Sequence, residues 1–180
     1  PIYGIGTAFL NVPFTPRQLA LAGSGMAFRG DPALFRLNPA LMVQNQPATE
    51  VYFAYNSWLG GALGHSAVAV QPIKGGSLIL GLRSLSITGL ELRTSQPTDK
   101  PIANFMSSGT ALEAGWGKAI GAIHWGGTIR WLQMESFTYS SSGFALDAGA
   151  TFSFYQDRFV AGISLRNLGK MERFNDVAPE

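Results

Sequence analysis

Residues 143–154, Gly-Phe-Ala-Leu-Asp-Ala-Gly-Ala-Thr-Phe-Ser-Phe, put Phe144, Leu146, Ala148, Ala150, Phe152 and Phe154 on one parity, and Gly143, Ala145, Asp147, Gly149, Thr151 and Ser153 on the other. Successive side chains of a strand point to opposite faces, so this period of two predicts a strand with one apolar face and one small or polar face. After Tyr155-Gln156-Asp157 the alternation resumes, with Phe159, Ala161, Ile163 and Leu165 set against Arg158, Val160, Gly162, Ser164 and Arg166. A link that short between two such runs predicts an antiparallel hairpin.

The same pattern extends upstream. Leu112, Ala114 and Trp116 alternate with Glu113, Gly115 and Gly117, and Ile123, Trp125, Ile129 and Trp131 alternate with His124, Gly126, Thr128 and Arg130, with a turn at Ala119 to Gly121 between them. Weaker alternation runs through Glu50 to Trp58, Ala62 to Gln71 and Ser77 to Arg93, where a phase change near Arg83 to Leu85 suggests a bulge. The expectation is an all-β chain of about seven antiparallel strands.

The first 47 residues differ, because Pro13, Pro16, Pro32, Pro39 and Pro47 interrupt short apolar patches that keep no strand period. They read as a capping or plugging segment, residues 1–47, ahead of a strand region, residues 48–180. Thr15-Pro16-Arg17-Gln18 has the form of an N-cap with Pro at the first helical position. Leu19, Leu21 and Ala22 start a short helix that Gly23 and Gly25 end. A second turn opens at Asp31-Pro32, capped by Asp31, and runs through Leu34 and Leu37 to Asn38-Pro39, where Pro39 breaks it or starts another.

Composition narrows the setting. Charged residues make up 13% of the chain, about half the roughly 25% of ordinary soluble proteins, while Gly numbers 22 and aromatics reach 12%. The 13 basic and 11 acidic residues are scattered singly, so the pattern offers no nucleic-acid footprint. Cysteine is absent, which removes disulfides and thiolate metal sites. No apolar run approaches the ~18 to 20 residues of a spanning helix, so membrane insertion requires a closed sheet. A soluble sandwich also buries one strand face and wets the other. Strands of about ten residues, aromatics near strand ends and a Gly-rich polar face with isolated charges favour a lipid-facing barrel instead. The chain starts at Pro1 without a leader, which leaves open whether a secretory signal was removed or never existed.

Three N-terminal stretches carry a resemblance: Phe9-Leu10-Asn11-Val12-Pro13, Arg17-Gln18-Leu19-Ala20-Leu21-Ala22-Gly23 and Leu37-Asn38-Pro39-Ala40-Leu41. Glu113-Ala114-Gly115-Trp116-Gly117 and Arg166-Asn167-Leu168-Gly169 extend it over most of the chain. In these the chain resembles the PorV/PorQ family, its PorQ branch more closely, a group similar to FadL-type outer-membrane barrels whose N-terminal hatch carries an Asn-Pro-Ala element. The resemblance implies a bacterial outer-membrane barrel of about fourteen strands. It also implies accessory or shuttle duty in type IX protein secretion, with outer-membrane lipid, secretion-system proteins and secreted cargo as partners. About seven strands is half that number, and Asn175 to Glu180 reads as a turn without a terminal aromatic, so the expectation is a fragment.

Chemistry finds little support. His65 and His124 lie in predicted strands without metal-ligand spacing, Gly23-Ser24-Gly25 lacks the remainder of a phosphate loop, and Gly-x-Ser-x-Gly is absent. The expectation is therefore a non-enzyme with no cofactor or metal. Asn38-Pro39-Ala40 is singled out either as a lock of hatch on wall through buried backbone hydrogen bonds or as a plain helix-ending turn. Glu113, Arg130, Asp147, Arg158 and Arg166 are candidate lumen-facing charges, filling a narrow pore by ion pairing or lining a substrate path. The functions weighed are a PorV/PorQ-like secretion accessory, a FadL-like channel for hydrophobic small molecules, and a soluble β-sandwich binding protein.

Overall fold

The computed structural model describes residues 5–43, 48–94, 99–155, 158–172 and 175–176. It is all-β, with one open antiparallel sheet in which each strand pairs with the next. The strands are β1 (Glu50–Ser57), β2 (Ala62–Ile73), β3 (Gly76–Leu92), β4 (Ala103–Ile120), β5 (Ile123–Ser136), β6 (Tyr139–Phe154) and β7 (Phe159–Met171). A two-residue β8 (Asn175–Asp176) pairs with β6 beyond the end of β7.

This meander follows from alternation joined to tight turns. Gly75 and Gly121, at φ +99° and +58°, sit in the two-residue links β2–β3 and β4–β5, where hairpin twist requires positive φ. Between β5 and β6 the same demand falls on Phe137, at φ +56°. The β4–β5 turn is thus at Gly121-Ala122, later than the expected Ala119 to Gly121. The bulge in β3 lies between Ile87 and Leu90, after the expected Arg83 to Leu85. Ser77, Ile79, Gly81, Arg83 and Leu85 form one unbroken inward series, so the apparent change of phase at Arg83 is a charge buried on the inward face. β4 starts nine residues before Leu112, because Ser107, Ser108 and Gly109 weaken the alternation without weakening the ladder to β3.

Ahead of the sheet runs a chain of short turns. A 3-10 turn covers Ile5–Asn11, α1 covers Pro16–Ala20, and further 3-10 turns cover Pro32–Arg36 and Pro39–Met42. Thr15 and Gln18 form a capping box on α1: Thr15 Oγ1 accepts from Gln18 N at 3.1 Å, and Gln18 Oε1 accepts from Thr15 N at 3.3 Å. α1 is shorter than expected, since Leu21 caps it and Ala22 already has φ +51°. Gly23 N then donates to Gln18 O at 2.8 Å, so Gly23-Ser24-Gly25 is a helix-ending turn. Pro39 starts its own turn, which Asn38 caps.

These turns lie across one face of the sheet, here called the inner face, and the core forms between the two. Phe9 and Leu10 pack with Ala111, Leu132 and Ala145, while Phe35 and Met42 pack with Val68, Val70 and Ile79. The opposite face carries most of the large apolar side chains: Leu80 and Ile163 are each 65% exposed, Phe144 58% and Leu146 53%. Among the described residues no second sheet or helix covers it.

Candidate functional site

The site is the contact of the N-terminal segment with the inner face, and Asn38 is its most constrained residue. Extended at φ −155° and ψ 115°, Asn38 precedes Pro39, and Pro excludes the helical region for the residue before it. That conformation lets Asn38 Oδ1 accept from Ala40 N at 3.0 Å and cap the turn. The same amide donates from Nδ2 to Met26 O at 2.9 Å, within the segment, and to Ala150 O at 3.1 Å, on β6. Asn38 is fully buried and therefore acts both as cap and as tie to the sheet.

The sheet makes room for it. A Cβ at Gly126 would come within 2.6 Å of Pro39 O, and one at Gly149 would fall on Asn38 Oδ1. A Cβ at Gly162 would lie 2.7 Å from Met26 O. The small residues on the polar parity of β5, β6 and β7 thus form the bed on which the segment lies. Other ties come from several strands. Arg29 Nη2 donates to Ala122 O at 2.8 Å and Thr151 O at 2.9 Å, Ser164 Oγ donates to Leu37 O at 2.9 Å, and Asn56 Nδ2 donates to Phe14 O at 2.8 Å.

Beside this lock lies a buried charge cluster. Glu113 on β4 and Arg130 on β5 are direct cross-strand partners, with Arg130 Nε 2.9 Å from Glu113 Oε1. Arg130 also pairs with Asp147 of β6 through Nη2 and donates from Nη1 to Asn167 Oδ1 at 2.7 Å. Asp147 Oδ1 accepts from Asn167 N at 2.7 Å, at the bulge between β6 and β7 where Asn167 takes φ +58°. From the N-terminal segment Arg36 completes the set. Its Nε donates to Glu113 Oε2 at 2.6 Å, its Nη1 to Ser66 Oγ at 2.8 Å and its Nη2 to Leu82 O at 3.3 Å. Arg83 of β3 stands 3.7 Å from Glu113 Oε1 and donates from Nη1 to Leu10 O at 2.9 Å. All five side chains are at most 4% exposed. Removing such charges from water costs several kcal/mol each, which only mutual pairing and hydrogen bonding offset.

Of the charges singled out in the sequence, Glu113, Arg130 and Asp147 meet in this cluster. Arg166 lies on the inward parity of β7 but is exposed at the rim of a small cavity. Arg158 is in the β6–β7 turn, exposed and outside the cluster, because the strand begins one residue later at Phe159. Gln156 and Asp157 of that turn, Pro47, and the segment Val177 to Glu180 lie outside the described residues. Arg36 and Arg83 were not singled out, though parity with Ile79 and Gly81 was the signal that places Arg83 inward. His124 is buried on the inner face, whereas His65 points outward beside Tyr55, ring centroids 5.2 Å apart. Among the described residues no group of metal-ligating side chains comes together.

No protein-family model matches the chain, and no curated protein matches it in sequence.

Proposed function

We propose that the seven strands are wall strands of an outer-membrane β-barrel plugged by its own N-terminal segment. The observation carrying this is the outward face. Three neighbouring cross-strand rows carry no charge from β3 to β6, Leu82–Leu112–Trp131–Phe144, Leu80–Ala114–Ile129–Leu146 and Leu78–Trp116–Gly127–Ala148; in β7 the last two continue into Leu168 and Leu165, and the first ends on Lys170. The buried charges sit on the opposite face. So wide an apolar surface is a liability in water and the natural exterior in lipid. Aromatics gather at one end of these rows, Trp116 against Trp125 and Tyr155 against Phe159, as in the girdles of such barrels. In this reading the free edges of β1 and β7 pair with further strands, because each unsatisfied backbone group in lipid costs several kcal/mol.

Within that class we read the chain as a PorV/PorQ-like accessory of type IX secretion, acting through secreted cargo and secretion-system proteins. Support comes from the resemblance of the Phe9 to Pro13, Arg17 to Gly23 and Leu37 to Leu41 stretches and from Asn38 tying the segment to the wall. A FadL-like channel is the second reading. It is favoured by a mostly apolar cavity of about 490 Å³ between the N-terminal segment and the edge strand, lined by Pro16, Ala20, Ala33, Tyr52, Ala54 and Val68 among others.

Spin labels at Trp125, Phe152 and Ile163, and at Thr151 and Ser164, in the full-length protein in bilayers test the barrel. Lipid-accessible signals at the first three and shielded or water-accessible signals at the other two are expected, whereas burial away from lipid at all five would overturn it. Deleting the protein from its source bacterium separates the two readings. Loss of cargo from the cell surface supports the secretion role, and intact cargo with impaired uptake of a hydrophobic compound supports the channel.

A further inference from the structure

The buried cluster is unbalanced. Among the described residues Arg36, Arg83 and Arg130 face only Glu113 and Asp147, an excess of one positive charge, and Arg166 adds another at the rim. Interiors rarely leave such an excess uncompensated, since a buried charge without a counter-charge costs far more than a paired one.

The excess has a place to be met. A partly enclosed cavity of about 140 Å³, beneath the N-terminal segment, is lined by Arg36, Arg83 and Arg166 together with Asn11 and Gln18. That is about ten times the roughly 10–15 Å³ a single water needs. Every nitrogen of Arg36 already has a partner in Glu113, Ser66 or Leu82. Arg83 is not: its Nη2 is buried with no hydrogen-bond partner among the described residues, though Nη1 is bound to Leu10 O. Arg166 has no ion pair among the described residues. A guanidinium offers paired N–H donors in the spacing that the oxygens of a carboxylate or phosphate require.

We infer that this cavity is a binding site for a small oxyanion, of carboxylate or phosphate type, held between Arg83 and Arg166 and backed by the positive excess of the cluster. The ligand would tie the N-terminal segment to β3 and β7, since Leu10, Asn11 and Gln18 line the same cavity. The site needs only the packing of the segment on the inner face and does not depend on the membrane reading.

Calorimetric titration of the full-length, detergent-purified protein with inorganic phosphate, and separately with butyrate, tests the site. Arg166→Gln is the comparison, a change at an exposed residue without an ion pair that leaves the fold intact. One saturable site for at least one probe is expected, weakened tenfold or more in Arg166→Gln, with that probe raising the melting temperature of the wild type and not of the variant. The tighter probe assigns the ligand as phosphate or carboxylate. Absence of saturable binding by both, equal binding by wild type and variant, or a carboxylate of the protein itself seated against Arg83 and Arg166 in an experimental structure would each overturn the inference.

Discussion

At the scale of single residues, Asn38 and Gly149 form a test pair. Asn38 satisfies its amide through three backbone partners, and leaving buried carbonyls and an N–H unmet costs about 1–3 kcal/mol for each group that water cannot reach. Asn38→Ala is therefore expected to destabilise by about 2–4 kcal/mol. Asn38→Asp, nearly the same shape, should be worse, because it keeps the cap on Ala40 but sets a carboxylate oxygen against Met26 O and Ala150 O. Gly149→Ala should also destabilise, as its Cβ falls on Asn38 Oδ1. Combined with Asn38→Ala that collision disappears, so a double-mutant cycle by denaturant unfolding should show a favourable coupling of about 1 kcal/mol or more. Strict additivity, or Asn38→Asp milder than Asn38→Ala, would show that the seating contact is not what holds Asn38. The Asn-Pro-Ala motif was legible in the sequence as a cap or a lock. That it is both was not, because Ala150 is 112 residues away and only the fold brings its carbonyl to Asn38.

At the scale of elements, the N-terminal segment and the sheet share one core but differ in what holds them. Strands are held by the ladder; the segment, all short turns, is held by two apolar clusters, a few backbone ties and Arg36 on Glu113. Glu113→Gln keeps the volume but leaves Arg36, Arg83 and Arg130 with Asp147 as their sole carboxylate among the described residues. Breaking a buried pair in this way costs about 3–5 kcal/mol. The loss should fall first on the segment, so hydrogen exchange should quicken at Pro32–Met42 amides before it quickens in β4 and β5. Equal quickening in both would mean that Glu113 supports the sheet instead. Strands were largely readable in advance because alternation is a local signal. β6 and β7 showed it most clearly, and β4 was cut short where Ser107 to Gly109 blur the two faces. The cluster was half readable. Glu113, Arg130 and Asp147 fall on polar parities of clean strands, whereas Arg36 comes from a turn with no period and Arg83 from a strand whose face was misjudged.

At the scale of the whole molecule, the question is which solvent the outward face meets, and one substitution separates the possibilities. Ile129 lies in the middle of an uncharged row, between Ala114 and Leu146, and is 49% exposed. In water, replacing a half-exposed Ile by Arg on an uncovered face changes stability by about 0.5 kcal/mol or less and improves solubility. In lipid the same change puts a guanidinium in the hydrocarbon, at a cost of about 2–4 kcal/mol near the midplane that falls toward the interfaces. Ile129→Arg is therefore expected to lower folding stability in bilayers by that amount. Phe159→Arg, at the turn end of β7 beside Tyr155, should cost about 1 kcal/mol or less because a long side chain there reaches the interface. The two variants measured together by denaturant titration in vesicles give a depth profile, and an Arg at Thr128 on the inner face is the control. Thr128 is 4% exposed and Thr128 Oγ1 donates to Asp147 at 3.3 Å, so a fourth buried cation there, beside Arg36, Arg83 and Arg130, is harmful in any solvent. A large cost at Ile129 with a small one at Phe159 is the signature of a membrane span. Near-zero cost at both, with the Thr128 control still harmful, would place the outward face in water and remove the barrel reading while leaving the lock at Asn38 and the charge cluster intact.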